Sequence, residues 1–98
     1  MIDCFGVTPT KTITVKLPDF APDLTTLSKK GILLFINADN TPHTVTSGNG
    51  GASPSADGKW DATLAPGAVA CVQFHQKGTY SYYCKNYAAQ MQAAVIVH

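Results

Sequence analysis

The chain contains no arginine and no glutamate, and its 7 lysines nearly balance its 6 aspartates. A net charge of +1 without a basic stripe lacks the electrostatic footprint of a nucleic-acid binder. It also gives no strong steering toward a charged partner. No apolar run approaches the eighteen or so residues needed to cross a bilayer as a helix, so no membrane span is expected. Helix formers are sparse. The sequence has no Ser/His/Asp set, no carboxylate pair in a defined pocket and no phosphate-binding loop, so it argues against an enzyme. The start, Met1-Ile2-Asp3-Cys4-Phe5, has neither the basic residues nor the apolar stretch of a signal peptide. The chain therefore reads as a cytosolic protein or as the mature part of an exported one. Repeats and low-complexity segments are absent too.

What is present favours strands. Thr, Val, Ile, Tyr and Phe are plentiful, and the 8 glycines and 6 prolines fall mostly between the apolar runs, as turn residues should. Residues 1–98 suffice for one domain, with 1–10 as an N-terminal extension. Lys11 to Leu17 alternates, placing Ile13, Val15 and Leu17 on one face of a half-buried strand. Pro18 to Lys30 reads as a loop with a short extended piece near Leu24 to Leu27. Ile32 to Asn37 is an apolar run of strand length, and a turn over Asn37 to Pro42 delivers His43 to a short strand, Thr44-Val45-Thr46. Asp39 and Asn40 suit that turn through Asx hydrogen bonds.

Ser47 to Gly58 has almost nothing apolar and reads as a surface loop, with order resuming at Trp60. Leu64-Ala65-Pro66-Gly67 is a tight turn before Val69 to His75. There Ala70, Val72 and Phe74 share one face and Cys71 points outward. Thr79 to Cys84 is the next strand, and the last begins near Met91 and runs through Val97. Six to eight short strands divided by Gly/Pro turns predict an all-β sandwich with Greek-key connections.

Several of these segments also form a pattern. Phe35-Ile36-Asn37-x-Asp39-x-x-Pro42-His43-Thr44-Val45, then Ala65-Pro66-Gly67 with Val72-x-Phe74, then Gly78-Thr79-Tyr80-x-Tyr82-Tyr83-Cys84, then Met91 with Val95-Ile96-Val97, resemble the cupredoxins. These are the plastocyanin- and azurin-like blue copper proteins, and the likeness covers roughly residues 11 to 98. It implies a cupredoxin-like sandwich that holds one copper ion, with His43 as an equatorial ligand, Cys84 as the thiolate and Met91 as the axial thioether. Such a set suits both oxidation states of copper and hence electron transfer. It further implies a monomer, a redox partner protein or copper donor or acceptor, and a periplasmic or extracellular location. With Cys84 kept as a thiolate, Cys4 and Cys71 remain to form one disulfide, which suits an oxidising compartment; nothing in the sequence says whether they meet.

One ligand departs from the pattern. Cupredoxins take a second histidine from the loop between cysteine and methionine, three residues after the cysteine or five in azurin-like loops. Here the first of those positions is Tyr87. Counting back five from Met91, as plastocyanin spacing suggests, gives Asn86. Ala93 also replaces a customary glycine. His75 and His98 do not fill the gap, since each lies a strand's length, roughly 20 Å, from Cys84. The expectation is an incomplete type 1 copper site, open to solvent at one position. The alternatives are a Cu(I) carrier, or a module that has lost copper and keeps a binding or structural role.

Overall fold

A computed structural model of the chain describes residues 2–17 and 19–98. Among the described residues, nine strands form two sheets. They are β1 (Lys11–Lys16), β2 (Asp19–Ala21), β3 (Leu24–Leu27), β4 (Ile32–Asn37), β5 (His43–Asn49), β6 (Ser55–Leu64), β7 (Val69–Gln73), β8 (Gly78–Tyr83) and β9 (Gln92–Val97). The first sheet has the order β2-β1-β4-β7 and the second β3-β9-β8-β5-β6. The chain is the expected all-β sandwich, one strand above the expected range. A single 3-10 turn, Lys85–Tyr87, lies between β8 and β9.

The period-2 burial pattern places the core. Ile13 and Val15 of β1, Leu33 and Phe35 of β4, Ala70 and Val72 of β7, and Val95 and Val97 of β9 point inward and are buried. Tyr82 fills the centre, edge-on to Phe20 and Phe35 at centroid distances of 4.9 and 5.2 Å. Trp60 meets Phe74 at 5.5 Å, nearly perpendicular. Such aromatic pairs add about 0.5–1.5 kcal/mol each beyond the area they bury.

Three sequence expectations need correction. The stretch read as a loop from Pro18 to Lys30 contains β2 as well as β3; Pro18 itself lies outside the described residues. Those strands are too short for their alternation to stand out. Ser47 to Gly58 is mostly a hairpin, because β5 continues to Asn49 and β6 starts at Ser55. The first five residues of β6 are all exposed, so this part of the strand needs no apolar face and shows no apolar period. A bulge between Thr46 and Gly48 bends β5 there. Gly48 has φ +135°, and a Cβ on it would collide with the Ser55 carbonyl. Finally, Cys71 does sit on the face of β7 opposite Ala70 and Val72, yet it is fully buried. The N-terminal segment covers it: Ile2 pairs with Cys71 and Cys4 is disulfide-bonded to it. The pairing that the sequence left open is therefore formed.

Candidate metal centre

The site begins at the end of β4. Asn37 is buried, and its side-chain amide donates to the carbonyls of Thr41 and Leu64, both at 2.9 Å. Its Oδ1 accepts the Asp39 N–H at 2.9 Å. Its backbone is held by the Ala65–Ala68 turn, donating to Ala68 O and accepting from Gly67 N–H. One side chain thus fixes the loop that carries Asp39 and delivers His43. The Asx bonding expected of Asp39 and Asn40 is partly present, since the Asn40 N–H donates to Asp39 Oδ1. Sequence reading missed Asn37 as the organiser. Its signal was a lone polar residue ending the apolar run of β4.

His43 is fully buried and occupied at both ring nitrogens. Nε2 lies 2.9 Å from Asp39 Oδ2. An ionised carboxylate only accepts, so Nε2 carries the proton and Nδ1 presents its lone pair. Asp39 Oδ2 also accepts the Leu17 N–H at 3.1 Å. The His43 hydrogen bond, helped by the Leu17 and Asn40 N–H groups, lowers the Asp39 carboxyl to about 2. Such carboxylate–histidine pairing fixes the tautomer and orientation of a ligating imidazole.

On the other side of the ring, Nδ1 faces Cys84 Sγ at 3.6 Å. The Thr44 N–H donates to the same sulfur at 3.4 Å. Thr44 Oγ1 accepts the Lys85 N–H at 2.8 Å and adjoins Thr46 Oγ1, which donates to Asp61. Lys85 Nζ closes that ring on Asp61, whose carboxyl it lowers. Thr44 and Thr46 were read only as strand residues. They anchor the first residue of the ligand loop to β5.

Residues 84–91 fold back on themselves. The Cys84 N–H donates to Met91 O at 3.1 Å, so the two sulfur residues are backbone neighbours, and both are fully buried. Tyr87 organises the interior: its N–H reaches Cys84 O, and its carbonyl accepts Gln90 and Met91 N–H. From outside, Gly51 N–H donates to Ala88 O at 2.7 Å. Gly50 packs so closely that a Cβ would meet Ala88 O at 2.8 Å and Gln92 Cγ at 2.6 Å. The tip of the β5–β6 hairpin therefore straps the ligand loop.

Two bonds from one transition-metal ion, about 2.0 Å to nitrogen and 2.3 Å to sulfur, put their donors roughly 3.5 Å apart at a tetrahedral angle. The His43–Cys84 separation of 3.6 Å fits that span. Imidazole, thiolate and thioether are donors that copper accepts, so the residues fit the ion. The structure brings His43 and Cys84 together and sets Met91 beside Cys84. It leaves His75 and His98, both exposed, at the other end, where His98 N–H bonds Leu27 O and Phe74 O accepts from Lys30. Among the described residues, no three His, Cys, Asp or Glu side chains converge. The three donors expected beside a solvent-open position are not themselves exposed. All three are fully buried, and the half-buried Tyr87 ring lies against His43, centroids 5.5 Å apart.

A two-sheet sandwich with a thiol facing an imidazole at one end, and a methionine hydrogen-bonded to the same cysteine through the backbone, has the plan of a cupredoxin. The family model of the cupredoxin-like domain matches residues 6–97, and the chain belongs to that family. Among solved structures it is similar to a novel purple cupredoxin from Nitrosopumilus maritimus. That match has a TM-score of 0.75 and 18% identity, covering 89% of this chain and 98% of that one. It is also similar to a reduced Cu(I) form, at pH 4, of an amicyanin variant, with TM-score 0.76, 17% identity and coverage of 95% and 87%. No curated protein sequence matches the chain significantly.

Proposed function

We propose that this chain is a copper-binding electron-transfer protein in which His43, Cys84 and Met91 hold one copper ion. The observation that carries the reading is the buried His43 Nδ1–Cys84 Sγ pair at 3.6 Å, with the imidazole tautomer set by Asp39. Copper there would supply a one-electron couple. The protein's own part is to hold the donors still. Asp39 fixes the ring of His43, the Thr44 N–H stabilises negative charge on the Cys84 sulfur, and the Cys84–Met91 backbone bond keeps thiolate and thioether together. Little rearrangement then accompanies a change of oxidation state. The fold family and the amicyanin likeness support the reading, and no step in it calls for an enzyme's acid, base or nucleophile.

The expected partner is a redox protein, met by a monomer. The Cys4–Cys71 disulfide favours an oxidising compartment, periplasmic or extracellular. A second reading, a Cu(I) carrier, is favoured by the missing second imidazole, because the remaining donors are weighted toward soft sulfur. Adding copper to the metal-free protein tests the first reading. One equivalent is expected to bind and, as Cu(II), to give a thiolate-to-copper absorption band that Cys84→Ser removes. Tight Cu(I) binding without a reversible Cu(II) form selects the carrier. No binding of either ion, with Cys84 titrating as an ordinary thiol, overturns both and leaves a copper-free module.

A further inference from the structure

We propose that Tyr87 is the residue that closes the coordination position beside His43 and Cys84, shielding that pair from small external ligands and so keeping the centre to protein donors. The proposal deepens the copper reading and rests on it for its metal-bound half. Its shielding half concerns the metal-free protein alone.

Elimination along the ligand loop points to this residue. Between Cys84 and Met91, Lys85 turns away to Asp61, and Asn86, Ala89 and Gln90 are exposed. Ala88 is engaged by the hairpin through Gly51. Only Tyr87 sets its side chain against the imidazole, with ring planes tilted by 52°. It is half-buried, whereas the donors beneath are fully buried. No hydrogen bond holds its hydroxyl among the described residues, so the ring is what packs.

Its place is also well fixed. The Tyr87 N–H and carbonyl make three of the hydrogen bonds that shape the loop, and the strap at Ala88 pins the adjoining residue. These bonds fix the Tyr87 backbone, and with it the point from which the ring reaches His43. With external ligands excluded, copper is left with His43, Cys84 and Met91. A low coordination number with two sulfur donors favours Cu(I) over Cu(II). Tyr87 is in this sense a specificity-determining residue, acting by exclusion.

Three variants test the proposal. In the metal-free protein Cys84 is the single free thiol, and its alkylation rate by iodoacetamide reads the shield without copper. Tyr87→Ala is expected to raise that rate at least tenfold, while Tyr87→Phe, which keeps the ring, leaves it near the wild-type value. In the copper-loaded protein, added imidazole is expected to shift the thiolate band of Tyr87→Ala and to leave wild type and Tyr87→Phe unchanged. Tyr87→His, which fills the same position with a strong donor, is expected to develop an intense Cu(II) band without added imidazole. Its circular dichroism shows whether the fold is kept should Tyr87→Ala fail to fold. Equal alkylation of wild type and Tyr87→Ala overturns the proposal. So does Tyr87→Phe behaving like Tyr87→Ala, because the hydroxyl would then be acting as a ligand, and so does a Tyr87→His spectrum identical to wild type. If the alkylation pattern appears but no form binds copper, the shield stands and the copper reading falls.

Discussion

At one end of the sandwich a histidine is fully buried and engaged at both ring nitrogens; at the other, His75 and His98 are exposed and make no side-chain hydrogen bond among the described residues. The side chains are chemically the same, so the difference lies in what surrounds them. His43 has a carboxylate to set its tautomer, a thiol within 3.6 Å of the other nitrogen, and a loop delivered by Asn37. His75 and His98 have two strand ends and solvent. A metal centre needs donors held in place beforehand, and of these three histidines only His43 is so held.

The strongest way to break that contrast is to remove donor side chains from each end in turn. Cys84→Ser is expected to abolish the thiolate-to-copper band, whereas the His75→Ala, His98→Ala double variant should bind copper as the wild type does. A visible titration checks both, and loss of the band in the double variant would contradict the contrast.

A second perturbation asks whether the ligand end depends on the covalent flank. The Cys4–Cys71 disulfide closes a segment with a sequence separation of 67. Replacing both cysteines by serine is expected to cost about 2–4 kcal/mol of stability in urea unfolding. The copper band of the folded protein should be unchanged, since neither residue touches the site.

Asp39→Asn sharpens the comparison by making His43 more like the other two histidines. The amide no longer fixes the proton on Nε2, and copper affinity is expected to drop about 10–100-fold in a competition titration. The fold should be retained.

The smallest effect is on pH dependence. The Asp39 carboxyl is lowered from 3.8 to about 2, chiefly by His43. A depressed carboxyl stabilises the fold above its unfolded value and loses that contribution as pH falls through the folded one. Stability should therefore decline from about pH 4 toward pH 2 in the metal-free protein, and the decline should be shallower in Asp39→Asn. Urea midpoints across that window measure the difference.

Much of this was readable in the chain. The alternation of Ile13 and Val15, and of Ala70, Val72 and Phe74, gave the inward faces because a half-buried strand must repeat every second residue. The order of His43, Cys84 and Met91 gave the candidate donors, of which His43 and Cys84 meet at 3.6 Å, and strand length alone sent His75 and His98 to the far end. The exposed first half of β6 was not legible, since a strand facing solvent on both sides has no apolar period. The burial of Cys71 was hidden for a different reason, as its cover is Ile2 and Cys4, nearly seventy residues away. Thr44 and Tyr87 act through Cys84, Lys85 and His43, contacts that no local pattern encodes, and Asn37 left only a lone polar residue at the end of an apolar run as its trace. The hairpin strap is likewise long-range, although the small residues Gly50 and Gly51 are its local trace.

The central claim is that His43 and Cys84 jointly hold one copper ion. Cu(I) competition titration of wild type beside His43→Ala and Cys84→Ser tests it most directly. The account predicts one equivalent bound tightly by the wild type, with each variant at least a hundredfold weaker. Equal affinity in all three proteins, or no uptake by the wild type, would contradict it.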